Sequence, residues 1–289
     1  MEQGIIIKKL PKLKKPLLIA GFGGWGNALD VSKGMVEYLV RNLKAKYIAG
    51  INPDVFFRYD AARPLADIED GVLNGFMPPG GAFYAARTSS TDSDASDIVI
   101  LETDEPNLRW FQFSDEFFSL CTKLGVETVI TLGSMYDNIL HSDRIISVIA
   151  SDEALLSGLK PRDVIPINYQ GPSAIHSIIQ SEGQKRGFGC ISLWCHCPFY
   201  LEGVVHYGIL CALCDVLESL GGFELDTEEF DAGWKELNEK IETAAEDDPE
   251  LRDIINDIRQ TRVEGRRAGM KQSVKGEKVI DLKDFLDPR

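Results

Sequence analysis

Apolar residues in this chain fall either into short unbroken runs or into longer stretches where they recur every three to four positions. The first pair sets the pattern. Residues 17–20 (Leu-Leu-Ile-Ala), bounded by Pro16 and Gly21, suit a strand buried on both faces. Leu29, Met35, Val36, Leu39 and Val40 then recur at helical spacing. Between them lie Gly21, Gly23, Gly24 and Gly26, which let the backbone turn sharply and leave helix-start N–H groups facing an anion or a partner backbone. The alternation continues. Strands are expected at 46–51, 97–101, 128–132, 144–150 and 190–194, with a short strand or extended link at 164–167 and an edge strand at 4–8. Helices are expected at 108–124, 173–185 and 204–220, with a short one capped by Ser151 and running to 156. This rhythm predicts an α/β fold with a mostly parallel sheet and a site at the carboxyl edge of its strands.

Two regions break the rhythm. Between residues 54 and 87, short apolar pieces (55–59, 71–77 and 82–86) alternate with turn clusters such as Pro78-Pro79-Gly80-Gly81, a pattern of antiparallel hairpin strands appended to the main sheet. After Gly221-Gly222, the clearest boundary in the chain, residues 224–257 carry fourteen acids against three bases in a helical pattern split at Pro249. Phe230, Trp234, Leu237 and Ile241 share one face of it, which predicts two amphipathic helices packed as a hairpin on the domain or on a neighbouring subunit. The expected organisation is an α/β domain over 1–222 with a Ser/Asp linker at 88–96, an acidic helical hairpin over 223–265, and a polar tail over 266–289.

With 289 residues and 44% hydrophobic content, the chain can bury a large core. A net charge of −14 argues against a nucleic-acid surface, which needs clustered Lys and Arg. The apolar run at Ile5, Ile6 and Ile7 is too short for a secretion signal, and the most apolar long stretch, 201–220, is interrupted by Glu202, His206 and Asp215. A cytoplasmic protein without a membrane span is expected, its six cysteines reduced.

Several motifs invite chemistry. Gly21-Phe22-Gly23-Gly24-Trp25-Gly26 matches the dinucleotide fingerprint G-x-G-x-x-G after a strand and before a helix. Trp25 is bulky where a pyrophosphate needs close backbone approach, and the next strand ends in Asn52-Pro53 instead of a ribose-binding acid, so no cofactor is expected. Cys195, Cys197, Cys211 and Cys214 combine C-x-C with C-x-x-C. The first two would share a strand face and the last two a face of an apolar helix, so core packing is expected and no metal. Ser134, after Gly133 at a strand end, is a candidate nucleophile or cap, with His141, His176, His196 and His206 as candidate bases, and there is no G-x-S-x-G elbow. Glu102, Asp104 and Glu105, with Asn107 and Arg109, end another strand, where such groups coordinate a cation, act as acid and base, or cap the next helix and pair with the arginine. The candidate pocket at the carboxyl edge comprises Gly23, Gly24, Trp25, Asn27, Glu102, Asp104, Asn107, Arg109, Ser134, Tyr169 and Gly171.

In order along the chain, GFGGWGNALD, RYDAARP, MPPGGAFYAAR, DEPNLRW, VITLGS, YQGPSAI and SLWCHCPFYL resemble the proteasome assembly chaperone family, second-subunit type, in its archaeal and bacterial branch. The resemblance covers most of residues 16–220. It implies a nucleoside-phosphorylase-like, three-layer α/β/α fold and self-assembly, trimers being frequent among bacterial forms; some members carry a label as relatives of ATP-grasp ligases. The chain also departs from the family pattern. The first turn usually reads G-F-E-G-W-N-D-A, so Gly23, Gly26 and Asn27 replace an acid, an amide and an acid, and a late V-P-H-Y appears as Cys197-Pro198-Phe199-Tyr200. Members that engage the proteasome resemble one another in a terminal hydrophobic-Tyr-any tripeptide, where this sequence has Asp287-Pro288-Arg289, so docking by that route is not expected. The resulting expectation is a non-catalytic, self-associating, chaperone-like assembly protein. A homo-oligomer, with a trimer favoured, would use the apolar helix after Tyr200 and the acidic hairpin as contact surfaces. The alternative is a small-ligand binder or an enzyme of nucleoside, nucleotide or ATP-dependent ligase type.

Overall fold

The computed structural model describes residues 3–88, 96–159 and 164–268. Its centre is β2 (Leu17–Gly23), all seven residues of which are buried. Side chains alternate across a strand: Leu17 and Ile19 enter one apolar cluster, while Leu18, Ala20 and Phe22 enter another on the opposite face. Two-sided burial is what the unbroken apolar run required.

Around β2 runs a nine-stranded sheet in the order β1-β3-β6-β7-β2-β8-β11-β9-β10. The central strands β7 (Ile98–Asp104), β2, β8 (Thr128–Asp137) and β11 (Gly189–Pro198) are parallel. On one margin β6 (Gly81–Ala86), β3 (Lys46–Ile51) and β1 (Ile5–Ile7) add antiparallel pairs; on the other, β9 (Ile146–Ala150) pairs antiparallel with β11 and parallel with β10 (Val164–Pro166). Helices α1 (Val31–Asn42) and α6 (Tyr207–Gly221) pack on one face, and α3 (Trp110–Leu124) and α5 (Ile175–Lys185) on the other, giving three layers. Helix α7 (Glu228–Asp247) and helix α8 (Pro249–Ala268) stack outside α6, and their Phe230, Leu237, Ile241, Leu251, Ile255 and Ile258 enter the same core as α1.

The irregular region differs from expectation. Residues 55–59 form no strand: Asn52 accepts from the N–H of Asp54 and starts the short helix α2 (Pro53–Phe56), whose Val55 and Phe56 are buried. The 82–86 segment is a main-sheet strand, β6, because Ala49 and Leu101 lie on either side of Phe83 in register. The appended hairpin is therefore only β4 (Leu65–Glu69) with β5 (Val72–Met77), a separate two-stranded sheet, and β4 had no alternating pattern strong enough to announce it. Ser151 does not cap helix α4 (Glu153–Leu159); Asp152 does, its Oδ1 accepting from the N–H of Leu155, while Ser151 Oγ accepts from the N–H of Cys190. Gly133-Ser134 is not a turn, since β8 continues to Asp137 beside an equally long β11. Helix α6 is covered by the chain's own sheet and α7, so it offers no free apolar face for self-association. Most of the linker at 88–96 and of the tail at 266–289, including the last three residues, lies outside the described residues.

Candidate functional site

At the end of β2, Gly24 adopts φ +108°, a value that side chains with a Cβ rarely take. The turn that follows is held by Asn27 and Ser134. Asn27 Oδ1 accepts from the N–H groups of Ser32 (2.9 Å) and Lys33 (3.2 Å), capping α1 across a 3-10 turn in which Leu29 and Asp30 also have positive φ. Ser134 donates its N–H to the Gly26 carbonyl and its hydroxyl to the Ala28 carbonyl, each at 2.8 Å. Its hydroxyl proton is thus committed to the backbone, and the side chain acts as a lock on the turn.

Next to Ser134, a Cβ on Gly133 would sit 2.8 Å from the Trp194 ring, so only glycine lets that indole lie over β8. Trp194 Nε1 donates to Ser192 Oγ (3.0 Å), which also accepts from Thr131 (2.9 Å). Above the indole opens a cavity of about 380 Å³, walled by Gly24, Trp25, Asn27 and Ala28, the end of β8, Ile149, Trp194 and the segment leading into α5; no lining side chain carries a charge. Glu105 ties two walls together by accepting the N–H groups of Ile175 (2.8 Å) and Trp25. Burial pushes its carboxyl above the usual range and these two bonds oppose the shift. Behind the indole, His176 is buried, with its ring 4.8 Å from that of Trp194 and Nε2 2.8 Å from the Leu132 carbonyl. Burial holds its pKa down at about 4, so the ring is neutral near pH 7.

Gly24, Trp25, Asn27, Ser134 and Tyr169 line this cavity, as the sequence suggested; Gly23, Glu102, Asp104, Asn107, Arg109 and Gly171 do not. Gly23 packs against Asp104, whose carboxylate meets Lys33 Nζ at 3.3 Å and accepts from the Gly80 N–H. Glu102 lies mid-sheet between Gly21 and Ala82, its pKa raised by burial and by Glu37. Asn107 Oδ1 accepts the Arg58 N–H, Arg109 starts α3 with φ 54°, and Gly171 packs beneath the Tyr169 hydroxyl, which donates to the Pro172 carbonyl. Glu102 and Asp104 therefore lie with Lys33 and Gly80 at the end of β7, away from the cavity, while Glu105 braces its wall. Met135, Tyr136, Ile149 and Trp194 line it without having been singled out. Met135 and Tyr136 were missed because β8 runs five residues past its apolar core; Trp194 was marked only by its place in SLWCHCPFYL.

All six cysteines are buried free thiols. Among the described residues no cluster of His, Cys, Asp and Glu is arranged to hold a metal ion, and no helix is long and apolar enough to cross a membrane.

Residues 18–245 match the profile of the PAC2 family. The chain belongs to the PAC2 family. Its fold is shared with a PAC2 family protein from Streptomyces avermitilis, at 24% identity and TM-score 0.73 over 83% of this chain and 99% of that one. A Mycobacterium tuberculosis proteasome-assembly chaperone homologue is similar at 26% identity and TM-score 0.73, with the same coverage of both chains. The Pyrococcus furiosus protein PbaB, an archaeal proteasome activator, matches at 20% identity and TM-score 0.66 over 83% of this chain and 97% of that one. No curated protein matches the chain.

Proposed function

We propose that this PAC2-family chain is a cytoplasmic, self-associating, chaperone-like assembly protein that acts on protein partners, with a homotrimer as the favoured state. The observation that carries the reading is the β4–β5 hairpin. Leu65, Ile68, Val72, Leu73, Phe76 and Met77 are each more than half exposed on a two-stranded sheet that does not pair with the main one. An isolated hairpin of that kind is marginal in water, and so much exposed apolar side chain on both of its faces marks a contact site. Structural relatives that are a proteasome-assembly chaperone homologue and a proteasome activator make proteasome subunits the partner class to test first. An assembly role needs no turnover. A nucleotide-dependent ligase reading draws no support from the cavity, whose lining offers no cation to a phosphate.

Light scattering coupled to size exclusion tests the proposal. A species of three chain masses that dissociates on dilution supports it; a monomer at every concentration overturns it.

A further inference from the structure

The cavity has a neighbour that the glycine turn does not explain. Asp137 at the end of β8, His196 in β11 and Ser147 in β9 stand on the face of the sheet that carries Met135, Trp194 and Ile149, three residues of the cavity wall, because positions two apart on a strand share a face. Ser147 is registered opposite Trp194, and His196 opposite Met135. The imidazole spans the gap between the acid and the hydroxyl: Nδ1 lies 2.7 Å from Asp137 Oδ2, and Nε2 lies 2.6 Å from Ser147 Oγ.

The protons in this array can be placed. The hydrogen bond from His196 holds the Asp137 carboxyl below its usual range against the opposing effect of burial. An ionised carboxylate only accepts, so whenever the imidazole holds a single proton it sits on Nδ1 and Nε2 presents a lone pair. The hydroxyl facing that lone pair must donate to it. Ser147 is 4% exposed and is flanked along β9 by the buried apolar Ile146 and Val148. Acid to Nδ1 and hydroxyl to Nε2 is the arrangement that activates a serine, and it recurs on unrelated folds without a fixed sequence order.

We propose that Ser147 is a nucleophile that accepts an acyl group from an uncharged carboxylic ester, with His196 as its base and Asp137 as the positioning residue. The adjoining cavity suits an apolar acyl chain, since Met135, Ile149, Ile167 and Trp194 line it and no charged side chain does. In the step, Ser147 Oγ bonds to the ester carbonyl carbon while its proton passes to His196 Nε2. The tetrahedral adduct collapses by breaking the bond to the alcohol oxygen, which takes the proton from Nε2 and leaves as the alcohol. Water then adds to the acyl-serine with the same base. It gives the carboxylic acid and restores the Ser147 hydroxyl.

The site goes beyond the assembly role and does not depend on it. Intact-mass and peptide mass spectrometry after treatment with a small alkyl fluorophosphonate, alongside hydrolysis of p-nitrophenyl butyrate, tests it on the full chain. The expected result is one adduct per chain, on Ser147, together with ester turnover. Ser147→Ala abolishes both. His196→Gln suppresses both. Asp137→Asn lowers kcat by about ten-thousandfold while KM stays near wild type, the split expected when a tautomer is lost and the cavity is kept. Circular dichroism confirms that each variant is folded. The wild-type chain alone can overturn the proposal, by giving no adduct on Ser147. Labelling of Ser147 that persists unchanged in folded His196→Gln overturns it too. A wild-type chain that is monomeric at every concentration yet labels on Ser147 counts against the assembly reading only.

Discussion

Two hairpins extend from the α/β core, and composition misleads about both. The helical hairpin α7–α8 is strongly acidic in composition, yet the apolar face the sequence predicted docks on the domain: Phe230, Leu237 and Ile241 are buried and Trp234 stacks on His206 at 5.4 Å, with the Arg144 guanidinium 5.6 Å from its ring. Tyr38 of α1 donates to the Asp226 carbonyl and Arg41 pairs with Glu229. The β4–β5 hairpin carries fewer charges and leaves its apolar side chains in water. Charge describes the outward face of an element; whether it docks is decided by whether its apolar side chains line up opposite a complementary surface. The helical hairpin found that surface within its own chain. The β-hairpin did not, which is why we propose it as the surface that meets another copy of the chain.

Breaking the helical hairpin should have the largest effect. Ile241 is fully buried, and Ile241→Ala is expected to cost about 3 kcal/mol, lowering the thermal melting midpoint by several degrees. Acid should act on the same seam. His206 is buried against Trp234, and burial, reinforced by His141 and Arg144, holds its pKa down at about 4, whereas an unfolded histidine titrates near 6.5. Between those values the unfolded chain binds more protons, so this stabilisation is complete above about pH 6.5 and is lost as pH falls toward 4. It amounts to about 3 kcal/mol. His176 behind the cavity contributes with the same sign. Denaturant melts from pH 7 to 4.5 should show the fall, and His206→Gln should remove part of it; β4–β5 has no histidine and supplies no such dependence. A smaller effect is expected where the arm meets the core through a partly exposed ion pair. Arg262→Ala, which breaks the 2.8 Å contact with Asp143, should cost under about 1 kcal/mol in the same melts. The smallest change in chain stability is expected at the other hairpin. Leu73→Asp with Phe76→Asp should alter unfolding by about 0.5 kcal/mol or less per exposed position, yet abolish the oligomer seen by light scattering.

The parallel centre of the fold was legible because continuous apolar runs have few other uses: residues 17–20, 97–101 and 128–132 all became central strands. Strand ends were not. Polar positions such as Asp104 and Asp137 extend β7 and β8 because neighbouring strands supply hydrogen-bond partners that no local pattern announces. That shift moved the acids of β7 away from the cavity and hid Met135 and Tyr136 inside β8. The glycine turn, Trp25 and Ser134 line the cavity although Ser134 lies within β8 and not at a strand end, while Ser147, His196 and Asp137 meet only through sheet order. Residues brought together from three strands leave no spacing signature.

The central claim is that the exposed β-hairpin is covered by another copy of the chain. Hydrogen–deuterium exchange of residues 65–77, followed as protein concentration is raised, tests it most directly. The account predicts amides that exchange rapidly in dilute solution and become protected, approaching those of β6, as the oligomer forms. Exchange in this segment that stays fast while the protein is demonstrably oligomeric would contradict it.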